Sequence, residues 1–394
     1  MSIGPRLNDA LLKLLSLERR VDPYFRDTFD SLFQRPLATC VQFLIRRFHP
    51  SQETRLCEEI HFPGEEQAAQ SITSQMSQFT QRQYSGRIAE RAGNTKTYGV
   101  VRATCEIFSD IPVQIRHGIF AQAHVYPAWI RFSGPGPLSP PDAEDSGIIS
   151  MSIKLMGVQG QKLIDDERFT QDLIMINSPT FSTPNVFQNI KLQQQIGAGT
   201  PLFYFLKPGA SHLLDLVMQA LYARMNSSPL ETRYWSCVPY LCGEGQAIKY
   251  SVRPCSATKT KIPWKPPDDW LRQSMSNYLA RKDATFDLFV QLQTDPQRMP
   301  LENAAIDWPE QLSPFVPVGR ITIPAQSFTS PEQSRFAREL SFNPWHALPD
   351  HRPLGNQNRA RLLIYTQLAR LRQSMNREPH IEPDGSERFP GDQS

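Results

Sequence analysis

No run of about eighteen apolar residues occurs in this sequence, and its first residues do not read as a charged-then-apolar leader. Membrane-spanning helices and a secretory signal are therefore not expected, and the expected compartment is the cytoplasm. The six cysteines (Cys40, Cys57, Cys105, Cys237, Cys242 and Cys255) form no CxxC pair and no cluster with histidines at zinc-ligand spacing, so reduced thiols are expected. Glycine is scarce beside proline, 20 residues against 34, which argues for extended segments and turns and against an all-helical bundle. A strong charge of one sign is missing as well: a net charge of +3 gives no reason to expect nucleic acid as a partner. GxSxG, Walker A, GxGxxG and HExxH are all absent, which removes the common hydrolase, nucleotide-binding and zinc-peptidase signatures.

What is there is 394 residues, 40% apolar and 21% charged, ample for a substantial core. Residues 1 to about 60 are helical in pattern, with amphipathic stretches through Leu11–Leu15 and from Phe29 to Phe48, interrupted at Pro36. Arg46 and Arg47 beside Phe48 are too few for a basic membrane-binding face, so membrane contact is not expected. Residues 65–84, rich in Gln and Ser, read as an exposed helix. Short β-like runs follow at 99–107, 126–133, 148–155 and 173–176, then helical spacing over 184–226, then runs at 247–252, 285–292 and 318–323. The class is α+β, with strands close enough for an antiparallel barrel or sandwich. The polar stretch 379–394, rich in Pro and Gly, predicts disorder.

One stretch near the C-terminus is chemically unusual. Arg361, Tyr365 and Arg372 are spaced four and seven residues apart, which stacks them on one helical face. Two guanidiniums flanking a phenol favour the phenolate, and a tyrosinate can hold haem iron axially. The alternative is an amphipathic helix whose tyrosine covers apolar surface. His346 and His351, just upstream, sit at no metal-ligand spacing with carboxylates or cysteines and read as structural.

Residues 91–99, 131–133, 172–179, 234–240 and 341–355, taken in order with the 359–372 helix, resemble the haem catalase superfamily, particularly its smaller catalase-related branch. The resemblance covers roughly residues 85–376. It implies a catalase-like antiparallel β-barrel with flanking helices, a b-type haem, and hydrogen peroxide or an organic hydroperoxide as substrate. By the same likeness Tyr365 matches the axial iron ligand, and Arg361 the arginine that hydrogen-bonds its phenolate. Arg91, Arg131 and Arg372 match propionate-binding arginines. Phe132 matches a residue packing on the distal side, Asn177 the distal asparagine, and Ser133 a residue supporting the distal base.

One departure matters for mechanism. Three residues after Arg91 the family carries its distal histidine, and here that position is Asn94. Asparagine hydrogen-bonds but does not titrate near neutral pH, so it cannot shuttle the peroxide proton. His117 and His124 match no catalytic position, and Tyr98, with an ordinary pKa near 10, is a poor base. The expected activity is therefore weak peroxide breakdown or peroxidase chemistry. The alternatives are an organic or fatty-acid hydroperoxide isomerase or lyase, or a haem-binding sensor without turnover. The expected organisation is a helical extension over 1–84, a barrel with inserted helices over 85–340, a proximal haem-binding segment over 341–378 and the tail. Homo-oligomers are left open.

Overall fold

The computed structural model describes residues 3–390 apart from positions 146, 208, 210 and 258. Helix α1 (Ile3–Phe29) runs through a wide π-type turn over Asp30–Gln34 into α2 (Arg35–Phe48), and α3 (Glu65–Gln83) follows. The wide turn falls just before Pro36, where the missing N–H and the ring both disfavour a continuous α-helix. Strands β1 (Thr97–Ile107), β2 (His124–Ser133), β3 (Ser150–Met156) and β4 (Thr170–Ile176) come next, then helices α4 (Val186–Gly197), α5 (Leu202–Leu206) and α6 (Leu213–Tyr222). The remainder is β5 (Tyr234–Trp235), β6 (Tyr240–Leu241), β7 (Ala247–Pro254), α7 (Trp270–Leu279), β8 (Ala284–Leu292), β9 (Val316–Ile323), α8 (Pro331–Glu339) and α9 (Asn356–Asn376).

The strands close into a barrel in the order β1–β2–β3–β4–β5–β7–β8–β9, with β9 returning to β1 and every pairing antiparallel. Closure depends on the two residues of β5, which pair with Ile176 on one side and with Ser251 and Val252 on the other. So short a strand has no readable periodicity. Alternation does the rest. Ile130 and Phe132 of β2, Met151, Ile153 and Leu155 of β3, and Leu173 and Met175 of β4 fill the barrel interior. Their neighbours Trp129, Arg131, Ser150, Ser152, Lys154 and Asp172 point outward and are nevertheless buried, because α3, α8, α9 and the chain before and after α9 cover this side.

Two expectations need correcting. Helix α3 is not simply exposed: Ala68, Ala69 and Ile72 pack on Ala360 and Ile364 of α9, the small residues allowing close approach. Nor is the tail structureless over 379–390. Ile381 and Phe389 join Trp129 and Phe336 in an outer apolar cluster, and the Trp129 indole donates to Glu387 at 2.9 Å. A polar composition hid two apolar anchors. Residues 391–394 lie outside the described residues.

A buried ion cluster ties the segment before α9 to the barrel wall. The Lys154 ammonium meets Asp172 at 2.8 Å and also Glu167, and the His346 ring lies 2.8 Å from Asp172 and 3.2 Å from Asp166. Glu167, Asp172 and His346 group like metal ligands, but Lys154 already supplies a cation among them. Sequence spacing could not show this, since the carboxylates come from a different part of the chain. Burial and then Lys154 pull the His346 pKa down, but Asp172 and Asp166 outweigh both and hold it at about 9. A raised folded-state pKa stabilises fully below the unfolded value of 6.5, and that stability is lost as pH rises through about 9. Wild type should therefore lose on the order of 3 kcal/mol relative to His346→Gln across this window. Paired urea titrations from pH 6 to 9.5 check it, and a constant difference between the two proteins would contradict the ion-pair account.

Candidate functional site

Helix α9 carries the unusual residues, and its start is tightly fixed. Gly355 has φ +84°, and a Cβ there would fall 2.3 Å from the Leu301 carbonyl oxygen, so only glycine makes this turn. The Asn356 amide then donates to Glu302 at 2.7 Å, and Arg359 binds Glu59, Glu65 and Glu302 at 2.7, 2.8 and 3.1 Å. With the first turn clamped, helical periodicity places Ala360 and Ile364 against α3 and turns Tyr365, Leu368 and Arg372 toward the barrel's outer wall. The Arg361 guanidinium lies 5.9 Å from the Tyr365 ring centroid and 5.3 Å from that of Phe181, and donates to Asn358 at 3.2 Å.

Between α9 and the wall is a cavity of about 140 Å³ whose lining includes Tyr365, Arg372, Arg91, Arg131 and Asn94. Five positions from three separate stretches of sequence thus converge. Arg131 and Arg372 are buried, Arg91 partly so, and among the described residues no carboxylate hydrogen-bonds any of the three. Their donors go to neutral oxygens instead. Arg91 Nη2 reaches the Ala337 and Leu340 carbonyls at the end of α8, Arg372 Nη2 reaches the Leu340 carbonyl and Ser341 Oγ at 3.2 Å, and Arg131 reaches Thr97 Oγ1 and the Asn94 carbonyl. Nη1 of Arg91 and of Arg372 is enclosed without any partner. Burial lowers all three pKa values, Arg131 to about 9 and Arg372 to about 10, and the neighbouring guanidiniums lower Arg91 further. Burying an unpaired ion costs several kcal/mol. The arrangement therefore favours a ligand that brings carboxylates with it.

Asn94 sits at φ +50°, a left-handed conformation that asparagine tolerates better than most residues. Its Oδ1 accepts from Ser150 Oγ at 3.0 Å, and its own N–H bonds the Pro135 carbonyl. It also lines a second, adjoining cavity of about 620 Å³, which shares Tyr365, Met76 and Ile174 with the first. This larger space is mostly apolar, walled by Leu192, Leu202 and Phe205 from α4 and α5 and by Leu12 and Leu15 from α1. No histidine lines either cavity among the described residues.

Three expected site residues are not brought to the cavities. Phe132 follows Arg131 on the strand and so faces the other way, into the barrel core 6.2 Å from the Tyr234 ring. The Asn177 carboxamide is engaged with the Ile149 amide at 2.8 Å, the Gly147 carbonyl and Asn226. Ser133 is buried with its hydroxyl unpartnered and lines neither space. Conversely, Ser150, Ser152 and Met76 belong to the site and were not singled out. Their signal was present in part: alternate small polar residues on a strand as apolar as β3 mark a second buried face.

No family model matches the chain, and no curated protein sequence does. Solved structures do. A fungal catalase superposes with a TM-score of 0.57 at 17% identity, covering 73% of this chain and 60% of that one. Catalase A from Saccharomyces cerevisiae gives 0.58 at 14% identity over 73% of this chain and 62% of its own. A bacterial catalase gives 0.56 at 14% identity, with 88% and 69% covered. The chain spans about three fifths of the length of the fungal and yeast catalases. Its architecture, a closed eight-stranded antiparallel barrel with flanking helices, is catalase-like.

Proposed function

We propose that this chain is a haem protein acting on hydroperoxides, with Tyr365 as the axial iron ligand. The observation that carries the proposal is the enclosed trio Arg91, Arg131 and Arg372, which hydrogen-bonds no carboxylate among the described residues and shares its cavity with Tyr365. These residues fit haem b: its propionates would satisfy the partnerless Nη1 groups, and Ile174, Ile364 and Leu368 suit an apolar macrocycle. Arg361 lies against the Tyr365 ring, 5.9 Å from its centroid, where its charge would face an iron-bound phenolate. When bound, haem iron would supply the chemistry of O–O bond cleavage.

The chain's own contribution to that step is limited by Asn94. With Oδ1 held by Ser150, its Nδ2 remains as a donor that can orient a peroxide oxygen. It cannot take the peroxide proton and return it, a service worth roughly 10² to 10⁴ in rate. Tyr98 does not substitute: it points into the barrel core, and burial raises its pKa far above the ordinary value. Asn177 and Ser133, away from the cavities, are given no part. The macrocycle needs several hundred Å³, so it would extend from the arginine cavity into the adjoining space of about 620 Å³ that Tyr365, Arg361 and Asn94 also line. A second reading of the substrate is an organic hydroperoxide, because cleaving it homolytically depends less on a distal base, which Asn94 cannot be.

Two outcomes follow. The visible spectrum of the haem-loaded protein should lose its tyrosinate-ligated character in Tyr365→Phe; an unchanged spectrum would refute the proximal assignment. Asn94→His should raise hydrogen peroxide disproportionation at least about tenfold, while turnover of an organic hydroperoxide changes less. No gain with hydrogen peroxide would sink the distal-base argument. A wild type that consumes neither peroxide faster than free haemin would leave a binding protein without turnover.

A further inference from the structure

Helix α1 has two working faces. Toward the body it buries Asn8, Asp22 and Arg26, and Arg26 bonds the α6 carbonyls of Ala220 and Leu221. On the opposite side Leu7, Ala10, Leu14, Leu17, Val21 and Tyr24 recur at strictly alternating spacings of three and four residues, the a/d repeat of a coiled-coil seam. A helix that merely caps a domain has no reason to keep such a stripe in water. Yet Leu7 is 51% exposed, Leu14 64%, Leu17 60%, Val21 47% and Tyr24 61%. Trp264, 73% exposed, extends the patch with its ring 5.6 Å from that of Tyr24. The repeat then stops, since the next seam positions are Thr28 and Ser31.

We propose that this stripe is the seam of a parallel two-stranded coiled coil with α1 of a second copy of the chain. Charge decides the occupant and its direction. Lys13 flanks the seam on one side and Glu18, five residues on, flanks it on the other. In a parallel pair that offset sets Lys13 of each copy beside Glu18 of the other, two attractive contacts related by the two-fold axis. An antiparallel pair would instead bring Lys13 against Arg20, which lies on the same flank and holds Glu144 at 3.2 Å. A membrane surface fits less well, because a helix lying on lipid carries cations along its polar face, whereas the flank of Leu11, Glu18 and Phe25 carries none. The body packs mainly on the opposite side of α1, through Asn8, Asp22 and Arg26, and reaches the seam at its C-terminal end, where Trp264 meets Tyr24. Because Leu12, Leu15 and Arg19 of the same helix line the larger cavity, the pairing would also fix one wall of that cavity.

Sedimentation velocity on the full chain tests this at concentrations up to the order of 100 µM, a range that would capture even weak pairing. Wild type should sediment as a species whose mass halves in the Leu14→Glu, Leu17→Glu double variant, with unchanged far-UV circular dichroism since both positions are exposed. Lys13→Glu alone and Glu18→Lys alone should each weaken association measurably, about threefold or more given two lost pairs, and the double swap should restore it. Wild type that is monomeric throughout, a mass insensitive to the seam variants, or single charge variants as tight as wild type would each overturn the proposal. A monomer that binds anionic phospholipid vesicles through the Leu14 and Leu17 face would overturn it in favour of a membrane.

Discussion

Three guanidiniums enclosed without a hydrogen-bonded carboxylate among the described residues are the constraint around which the rest is arranged. Like charges at close range in a low-dielectric setting repel, and the fold does several separate things to hold them. Strand alternation aims Arg131 outward from the barrel, the carbonyls ending α8 offer their partial negative charge to Arg91 and Arg372, and α9 delivers Arg372 two turns beyond Tyr365. Each device is local, and Glu90 and Glu378 offset the positive charge only from beyond hydrogen-bond range. The protein alone has not satisfied this region, and a dianionic cofactor would.

The two sides of the site differ in how completely they are built. On α9 the phenol, its flanking arginine and the clamped first turn form a coherent ligand platform, from Gly355 through Arg359 to Tyr365. On the barrel side, Asn94 hydrogen-bonds Ser150 in a region that holds no titratable base near neutrality. The larger cavity adjoins both sides, and its mostly apolar wall is partly supplied by Leu12 and Leu15 of the N-terminal helix.

Much of this was legible in sequence, and the misses have identifiable causes. Tyr365 and Arg372 could be placed together because helical periodicity is reliable over two turns, and Arg91, Arg131 and Asn94 do converge on them, while Arg361 lines the larger cavity beside Tyr365. Phe132 could not share a face with Arg131, because successive strand residues alternate; the period of two already argued against grouping them. Asn177 is held by the Ile149 amide, the Gly147 carbonyl and Asn226, partners that no local pattern could place beside it. The ion cluster of Lys154, Glu167, Asp172 and His346 joins segments far apart in the chain, and β5 closes the barrel with two residues. Neither leaves a local pattern. The tail misled because bulk composition outweighed Ile381 and Phe389, two side chains that suffice to dock it.

The claim on which everything else rests is that the arginine trio exists to receive two carboxylates. Titrating the purified protein with haemin and, in parallel, with haemin dimethyl ester, while following tryptophan quenching and the Soret band, isolates that claim from any question of turnover. One equivalent of haemin should bind, and the ester, which keeps the iron and macrocycle but not the charges, should bind at least about tenfold more weakly, a modest figure for charge-assisted pairs in an enclosed site. Equal affinity for the two, or no stoichiometric binding of haemin at all, would contradict the account.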